Sequence, residues 1–113
     1  MYSLFWFNTR RRTTEMKSVA KIRTEKAERY MKALVNHFSR KITASYEGNV
    51  GIISFPFGSS ELVADGSSLI LYAESKNEGN LNRVEQVVES HLARFTQDEN
   101  LALTWSILDQ EIA

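Results

Sequence analysis

A chain of 113 residues, 42% hydrophobic and 25% charged, has the size and composition of one globular domain, and no Pro/Gly/Ser-rich linker divides it. It contains no cysteine, which excludes disulfides and thiolate metal sites and fits a cytoplasmic location. The formal net charge is zero, but residues 16–41 hold eight Lys and Arg against two Glu, whereas residues 42–113 hold three against eleven Asp and Glu.

The first fifteen residues differ in character from the rest of the chain. Residues 2–7 are apolar and aromatic, and the three arginines at 10–12 follow them. A secretory signal carries its charge before a longer apolar run, and a membrane span needs about 20 residues, so we predict neither. We interpret residues 1–15 as a disordered tail or a miscalled start, with Met16 as the true start and residues 16–113 as a single domain. An interfacial membrane anchor is the alternative.

The next elements alternate between strand and helix patterns. Residues 19–23 predict a short strand, and Thr24 predicts the N-cap of a helix over residues 25–40, whose apolar positions recur at helical spacing. Four strands are then predicted, and tight turns or the imino acid Pro56 separate them. Their ranges are 42–46, 50–55, 60–64 and 68–73.

The last elements complete an α+β pattern. Asn77 predicts the cap of a second helix that ends near Phe95, and residues 101–107 alternate as a final strand. The order β-α-β-β-β-β-α-β predicts a two-layer sandwich, with a mostly antiparallel sheet and two helices on one face. This order is analogous to half of a TATA-binding-protein-like sandwich, an analogy of fold alone. One core should contain Leu34, Phe38, Val84, Val88, Leu92 and Trp105.

The two histidines are the residues that bear most on function. His37 and His91 each lie near the end of a predicted helix with a phenylalanine soon after, and histidine can ligate metals or move protons near neutral pH. Three roles stay open: a hydrogen bond to a backbone carbonyl, a shared ligand site, or acid–base catalysis. Metal sites usually need three or four ligands, so we predict no metal site.

The relative direction of the helices decides between these roles. Parallel helices would bring both imidazoles to one ligand. Antiparallel helices would separate them by roughly 15–20 Å at 1.5 Å rise per residue. Strand order fixes the direction, and the sequence does not fix strand order. We favour separate structural roles, with His91 the more buried of the two.

The tetrapeptide Phe55-Pro56-Phe57-Gly58 is the most distinctive in the chain. In an extended run Phe55 and Phe57 share a face, so they form either an aromatic platform beside a pocket or a plug at the end of the core. We predict no catalytic residue, because the chain has no phosphate loop, dinucleotide fingerprint or nucleophile elbow. The candidate ligand-binding residues are His37, His91, Tyr30, Phe55 and Phe57.

These segments resemble a known family. Residues 30–38, 51–58, 91–95 and 103–105 are similar to the bacterial domain of unknown function 2218 family, and the likeness extends from about Ser18 to Ile107. The family has no assigned activity, so the resemblance implies no catalytic residue. It implies a typical member without the first fifteen residues, and an association with siderophore-utilisation proteins that are encoded nearby or fused.

The residues predict a small soluble binding or accessory domain, and the resemblance implies that it is linked to iron–siderophore utilisation. Its partner would be a siderophore-utilisation protein or a small ligand, and the sequence identifies no cofactor and no oligomeric state. The alternative is an enzyme that acts on a small ligand, with a histidine acid/base in a shallow pocket between helices and sheet. Nucleic acid is not an expected partner, because the basic helix and the aromatic strands lie in different segments.

Overall fold

The computed structural model describes residues 15–108, and the aromatic and arginine-rich segment before them lies outside the described residues. The elements follow the predicted order. They are β1 (Met16–Arg23), α1 (Ala27–Phe38), β2 (Ala44–Glu47), β3 (Val50–Phe55), β4 (Gly58–Ala64), β5 (Ser68–Ser75), α2 (Glu78–Phe95) and β6 (Ser106–Ile107).

The strands form one antiparallel sheet in the order β2-β3-β4-β5-β1-β6. Tight turns join β2 to β3 and β4 to β5, and each contains a glycine at positive φ, Gly48 at 63° and Gly66 at 88°. β1 begins at Met16, before the predicted start at Val19, because Met16 still pairs with Ser75 of β5. The sheet therefore confirms the predicted antiparallel class and supplies the strand order that the sequence left open.

The helices cover one face of the sheet, and the core lies between the two layers. Strands β4 and β5 alternate between buried and half-buried residues, as expected when only one face is covered. The predicted core residues Leu34, Val84, Val88 and Leu92 are buried. Phe38 and Trp105 are only half-buried and pack against the edge of this core.

The predicted last strand is longer than the observed one. Within residues 101–108, Ser106 and Ile107 lie in register with β1 and the Leu108 N–H donates to the Lys17 carbonyl, although the alternation predicted a strand from residue 101. Leu101, Leu103 and Trp105 pack against the core without ladder partners, and Trp105 Nε1 donates a hydrogen bond to the Glu89 carboxylate at 3.1 Å. The alternation over residues 101–105 thus reflects an extended segment that packs one side against the core, and not a paired strand.

Capping was predicted correctly for one helix and incorrectly for the other. Asn77 caps α2, and its side chain accepts a hydrogen bond from the Asn80 N–H at 2.8 Å. Thr24 does not cap α1, which begins at Ala27 after Lys26. The Thr24 hydroxyl instead accepts from the Lys26 N–H and donates to the Glu99 carboxylate, both at 3.1 Å.

The two helices run in opposite directions. β1 and β5 are antiparallel neighbours, and each helix runs back along the sheet from the end of one of them. Lys26, just before α1, forms a 3.1 Å ion pair with Asp98, just after α2. The start of α1 therefore lies beside the end of α2.

Neither helix among the described residues is long and apolar enough to cross a membrane.

The sheet face away from the helices carries a carboxyl group with an altered pKa. Glu74 of β5 lies in register with Lys17 of β1 and Ser59 of β4. Burial, followed by a hydrogen bond with the Glu15 carboxyl, raises the pKa of Glu74 from 4.5 to about 7. Folding therefore favours the protonated form of Glu74.

We expect this group to make the protein less stable as pH rises from 4.5 to about 7. In that interval the folded state binds more protons than the unfolded state, so the free energy of unfolding falls with increasing pH. Glu74→Gln should flatten the decrease and raise the melting temperature at pH 7.5, as measured by thermal unfolding across this range. Glu47→Gln, which removes an exposed carboxyl of β2, is the control. Parallel curves for Glu74→Gln and wild type would contradict the assignment.

Candidate functional site

A row of six half-buried rings lies between the end of α1, the exit of β3 and the second half of α2. We call this row the histidine–aromatic cluster. Its members are His37, Phe38, Phe55, Phe57, His91 and Phe95. Each ring keeps part of its surface in solvent, so the cluster is a surface feature at the rim of the core.

The elements place these rings by simple local rules. Pro56 cannot continue the ladder, so β3 ends at Phe55 and the chain turns into β4 at Gly58. The turn brings the rings of Phe55 and Phe57 into a stack with centroids 5.2 Å apart. His91 and Phe95 are four residues apart on α2, and they therefore share one helix face.

Phe38 joins the two halves of the row. Its ring meets Phe55 edge-to-face at 5.2 Å between centroids and lies 4.8 Å from the His91 ring. The His37 ring lies 5.3 Å from Phe38 and 6.1 Å from Phe95, both edge-to-face. Aromatic pairs at such distances attract one another beyond the effect of buried area, so the rings hold one another in place.

The two histidines are adjacent, which contradicts the expected separation. Their ring centroids are 5.1 Å apart with an interplanar angle of 46°. The helices are antiparallel, but the 18-residue α2 extends beyond the 12-residue α1, so the last turn of α1 lies alongside the second half of α2. Side chains also lean toward the N-terminus of their own helix, and in an antiparallel pair this directs them toward each other.

His91 makes the backbone hydrogen bond that the sequence allowed. Its Nδ1 lies 2.8 Å from the carbonyl oxygen of Val87, one turn earlier on α2. A carbonyl oxygen can only accept, so Nδ1 carries the hydrogen and Nε2 of the neutral ring keeps a lone pair. The bond therefore fixes both the tautomer and the orientation of the imidazole.

The rim of the cluster is basic. The Arg83 guanidinium lies over the Phe57 ring, 4.2 Å from its centroid, at cation–π distance. Partial burial, then the charges of His91 and Arg94, lowers the pKa of His37 below its ordinary value; Arg40 and Lys41 add to the effect. The neutral imidazole of His37 is therefore favoured near neutral pH, and an anion near these rings would meet several cations.

Tyr30 is the one candidate residue that the structure leaves outside the cluster. Its hydroxyl, near the start of α1, donates to the Glu99 carboxylate. Burial and this hydrogen bond raise the pKa of Tyr30 to about 12. The structure thus brings together His37, His91, Phe55 and Phe57 and separates Tyr30 from them.

Sequence reasoning missed three members of the site and its rim. Phe38 and Phe95 were noted as the phenylalanines that follow the histidines but were not named as site residues, and Arg83 was not singled out. The spacing of four residues from His91 to Phe95 is the signal that could have found one of them. Within residues 15–108, no three histidine or carboxylate side chains are grouped as metal ligands.

Comparisons with known proteins agree with this fold. The model of a family described as an uncharacterised protein conserved in bacteria (DUF2218) matches residues 19–106, which include the whole cluster. The NMR structure of PA4090 from Pseudomonas aeruginosa is 30% identical, covers 80% of this chain and 95% of its own, and has a TM-score of 0.70. A de novo designed protein with a ferredoxin fold matches over 89% of each chain at 15% identity and a TM-score of 0.52, which shows the fold alone. No curated protein matches the chain.

Proposed function

The chain belongs to the DUF2218 family of uncharacterised proteins conserved in bacteria, and since that family is uncharacterised, we propose a function from the geometry of the histidine–aromatic cluster. The protein is a small binding module whose ligand lies on the histidine–aromatic cluster. We place it in the cytoplasm as an accessory to iron–siderophore utilisation. The absence of cysteine supports that location, and the family resemblance supports that role.

The adjacency of the His37 and His91 rings carries this proposal. A half-buried position at the rim of the core needs only an apolar ring or a solvated side chain to be stable. Here two imidazoles lie 5.1 Å apart and contact phenyl rings. Polar nitrogen atoms beside apolar ring surfaces are the combination by which binding sites orient small ligands.

The chemistry of the rim defines the ligand class. The partly exposed rings offer faces and edges on which a flat, unsaturated molecule can stack. Arg83 at one end of the row, and Arg40, Lys41 and Arg94 near His37, supply positive charge. A flat aromatic anion fits both properties, and aromatic carboxylates and catecholates, the iron-binding groups of many siderophores, belong to this class.

Binding fits the geometry better than catalysis does. The enzyme alternative requires a histidine acid/base, and such a histidine is usually oriented by a carboxylate or paired with a nucleophile. His91 is oriented by the backbone carbonyl of Val87. Tyr30, the other titratable residue among the candidates, has a pKa of about 12 and belongs to the Glu99 contact near the start of α1.

The proposal predicts that 2,3-dihydroxybenzoate, alone or as its ferric complex, binds the protein and raises its melting temperature. Phe57→Ala should weaken binding about tenfold, because the ring that supports both Phe55 and the Arg83 guanidinium is lost. Titration calorimetry measures the affinities, and thermal unfolding measures the change in melting temperature. Tyr46→Ala is the matched control, since Tyr46 also lies under a cation, with Lys32 Nζ 5.5 Å from its ring centroid, but belongs to β2 outside the cluster. Wild-type protein that binds neither probe, or equal affinities of the two variants, would contradict the proposal.

A further inference from the structure

We propose that His37 and His91 together chelate one divalent transition metal ion, with Cu²⁺ bound most tightly, and that its remaining coordination positions face solvent. This inference deepens the proposed function and rests on it, because the metal would occupy the same histidine–aromatic cluster. The open positions would accept the oxygen atoms of the aromatic anion. The cluster would then bind a metal–ligand complex more tightly than the organic molecule alone.

The separation of the two rings fits a shared ion. A metal–nitrogen bond of about 2.1 Å and a distance of roughly 1.1 Å from the nitrogen to the ring centre place two imidazoles on one tetrahedral ion with centroids about 5 Å apart. The observed separation is 5.1 Å. The interplanar angle of 46° excludes a face-to-face stack, which two ligands of one ion could not form.

The hydrogen bond of His91 is of the kind that metal-binding histidines make. An imidazole that ligates a metal through one nitrogen usually donates from the other to a carbonyl or carboxylate, which fixes the tautomer. Nδ1 of His91 makes this bond with Val87, and Nε2 remains available. His37 is confined by the edge-to-face rings of Phe38 and Phe95, so neither imidazole has to be ordered anew when a metal binds.

The surroundings favour a metal that carries an anion. Imidazole suits copper, zinc, nickel and iron, and affinity among divalent ions rises to copper along the Irving–Williams series. Two histidines fill only part of a coordination shell, and no group of three or more ligand side chains occurs in residues 15–108. Arg40, Lys41 and Arg94, whose charges act on His37, oppose a bare dication and attract an anionic co-ligand. The aromatic anion should therefore raise the affinity for the metal.

The test is a titration of the full chain, purified without a polyhistidine tag, with CuSO₄ alone and with CuSO₄ plus 2,3-dihydroxybenzoate. We expect one Cu²⁺ per chain, a loss of at least tenfold in affinity in His37→Ala and in His91→Ala, and no change in Tyr46→Ala, whose ring lies on β2 outside the cluster. Circular dichroism spectra confirm that each variant is folded. Paramagnetic broadening of the Phe38 and histidine ring signals in wild-type NMR spectra locates the ion without any substitution.

The outcomes separate this inference from the proposed function. Copper affinity that is equal in wild type and His91→Ala, or broadening confined to residues outside the cluster, overturns the chelate. If the anion binds without metal and is lost in Phe57→Ala while copper does not bind, the chelate is wrong and the binding module stands. If copper binds through both histidines and the anion does not bind at all, the chelate stands and the proposed ligand class is wrong.

Discussion

Val88→Asp should leave the domain unfolded at 25 °C. Val88 is 0% exposed and lies on the sheet-facing side of α2, in the core cluster that also contains Val84 and Leu92. A buried carboxylate without a partner costs several kcal/mol, and the lost packing of the valine adds to that cost. A domain of this size is stable by only about 5–15 kcal/mol, so the substitution removes most or all of its stability.

The neighbouring valine provides the control. Val87 precedes Val88 on α2 but is only half-buried, so a carboxylate there keeps contact with water. We expect Val87→Asp to remain folded with a loss of about 1 kcal/mol. Far-UV circular dichroism and thermal melts compare the two variants. A Val88→Asp protein with the melting temperature of wild type would refute the assignment of the core.

The parts of the fold that were predictable are those with short-range signals. Apolar spacing in α2 and the turn sequences of the hairpins are local, and the structure confirms them. The start of α1 was predicted incorrectly because Thr24 is engaged by Glu99, 75 residues later in the chain. The predicted length of β6 was wrong for a related reason, since alternation cannot distinguish a paired strand from an extended segment packed on one side.

The candidate site was predictable in its members but not in its geometry. His37, His91, Phe55 and Phe57 could be identified by residue type and by their positions near element ends. Their meeting depends on how far α2 extends beyond α1 and on the order of the strands, and both are long-range properties. Tyr30 was predicted to belong to the same site, but two turns of α1 separate it from His37.

The second large effect is expected at Gly58, where β4 begins. A Cβ built on Gly58 would overlap the backbone oxygen of Glu74 and lie 2.8 Å from Cγ2 of Val84. The oxygen belongs to the β5 backbone and cannot rotate away as a side chain could. Gly58→Ala must therefore push the start of β4 away from β5 and α2, and we expect a loss of about 2–3 kcal/mol.

Gly79→Ala is the same chemical change with the opposite expected sign. Gly79 lies in the first turn of α2, and the nearest atom to an added Cβ is Asn77 Oδ1 at 3.6 Å, which is ordinary contact. Alanine in a helix is favoured over glycine by about 0.5–1 kcal/mol, so this variant should be more stable than wild type. Urea unfolding measures the stability of both variants.

The substitution at Gly58 should also affect ligand binding, because Gly58 follows Phe57 directly and pairs with Phe55. Gly58→Ala should displace the stacked rings and weaken binding of 2,3-dihydroxybenzoate, whereas Gly79→Ala should leave binding intact. A Gly58→Ala protein as stable as Gly79→Ala would contradict the predicted steric conflict between β4 and β5, and unchanged binding by Gly58→Ala would show that Gly58 does not determine the position of the rings.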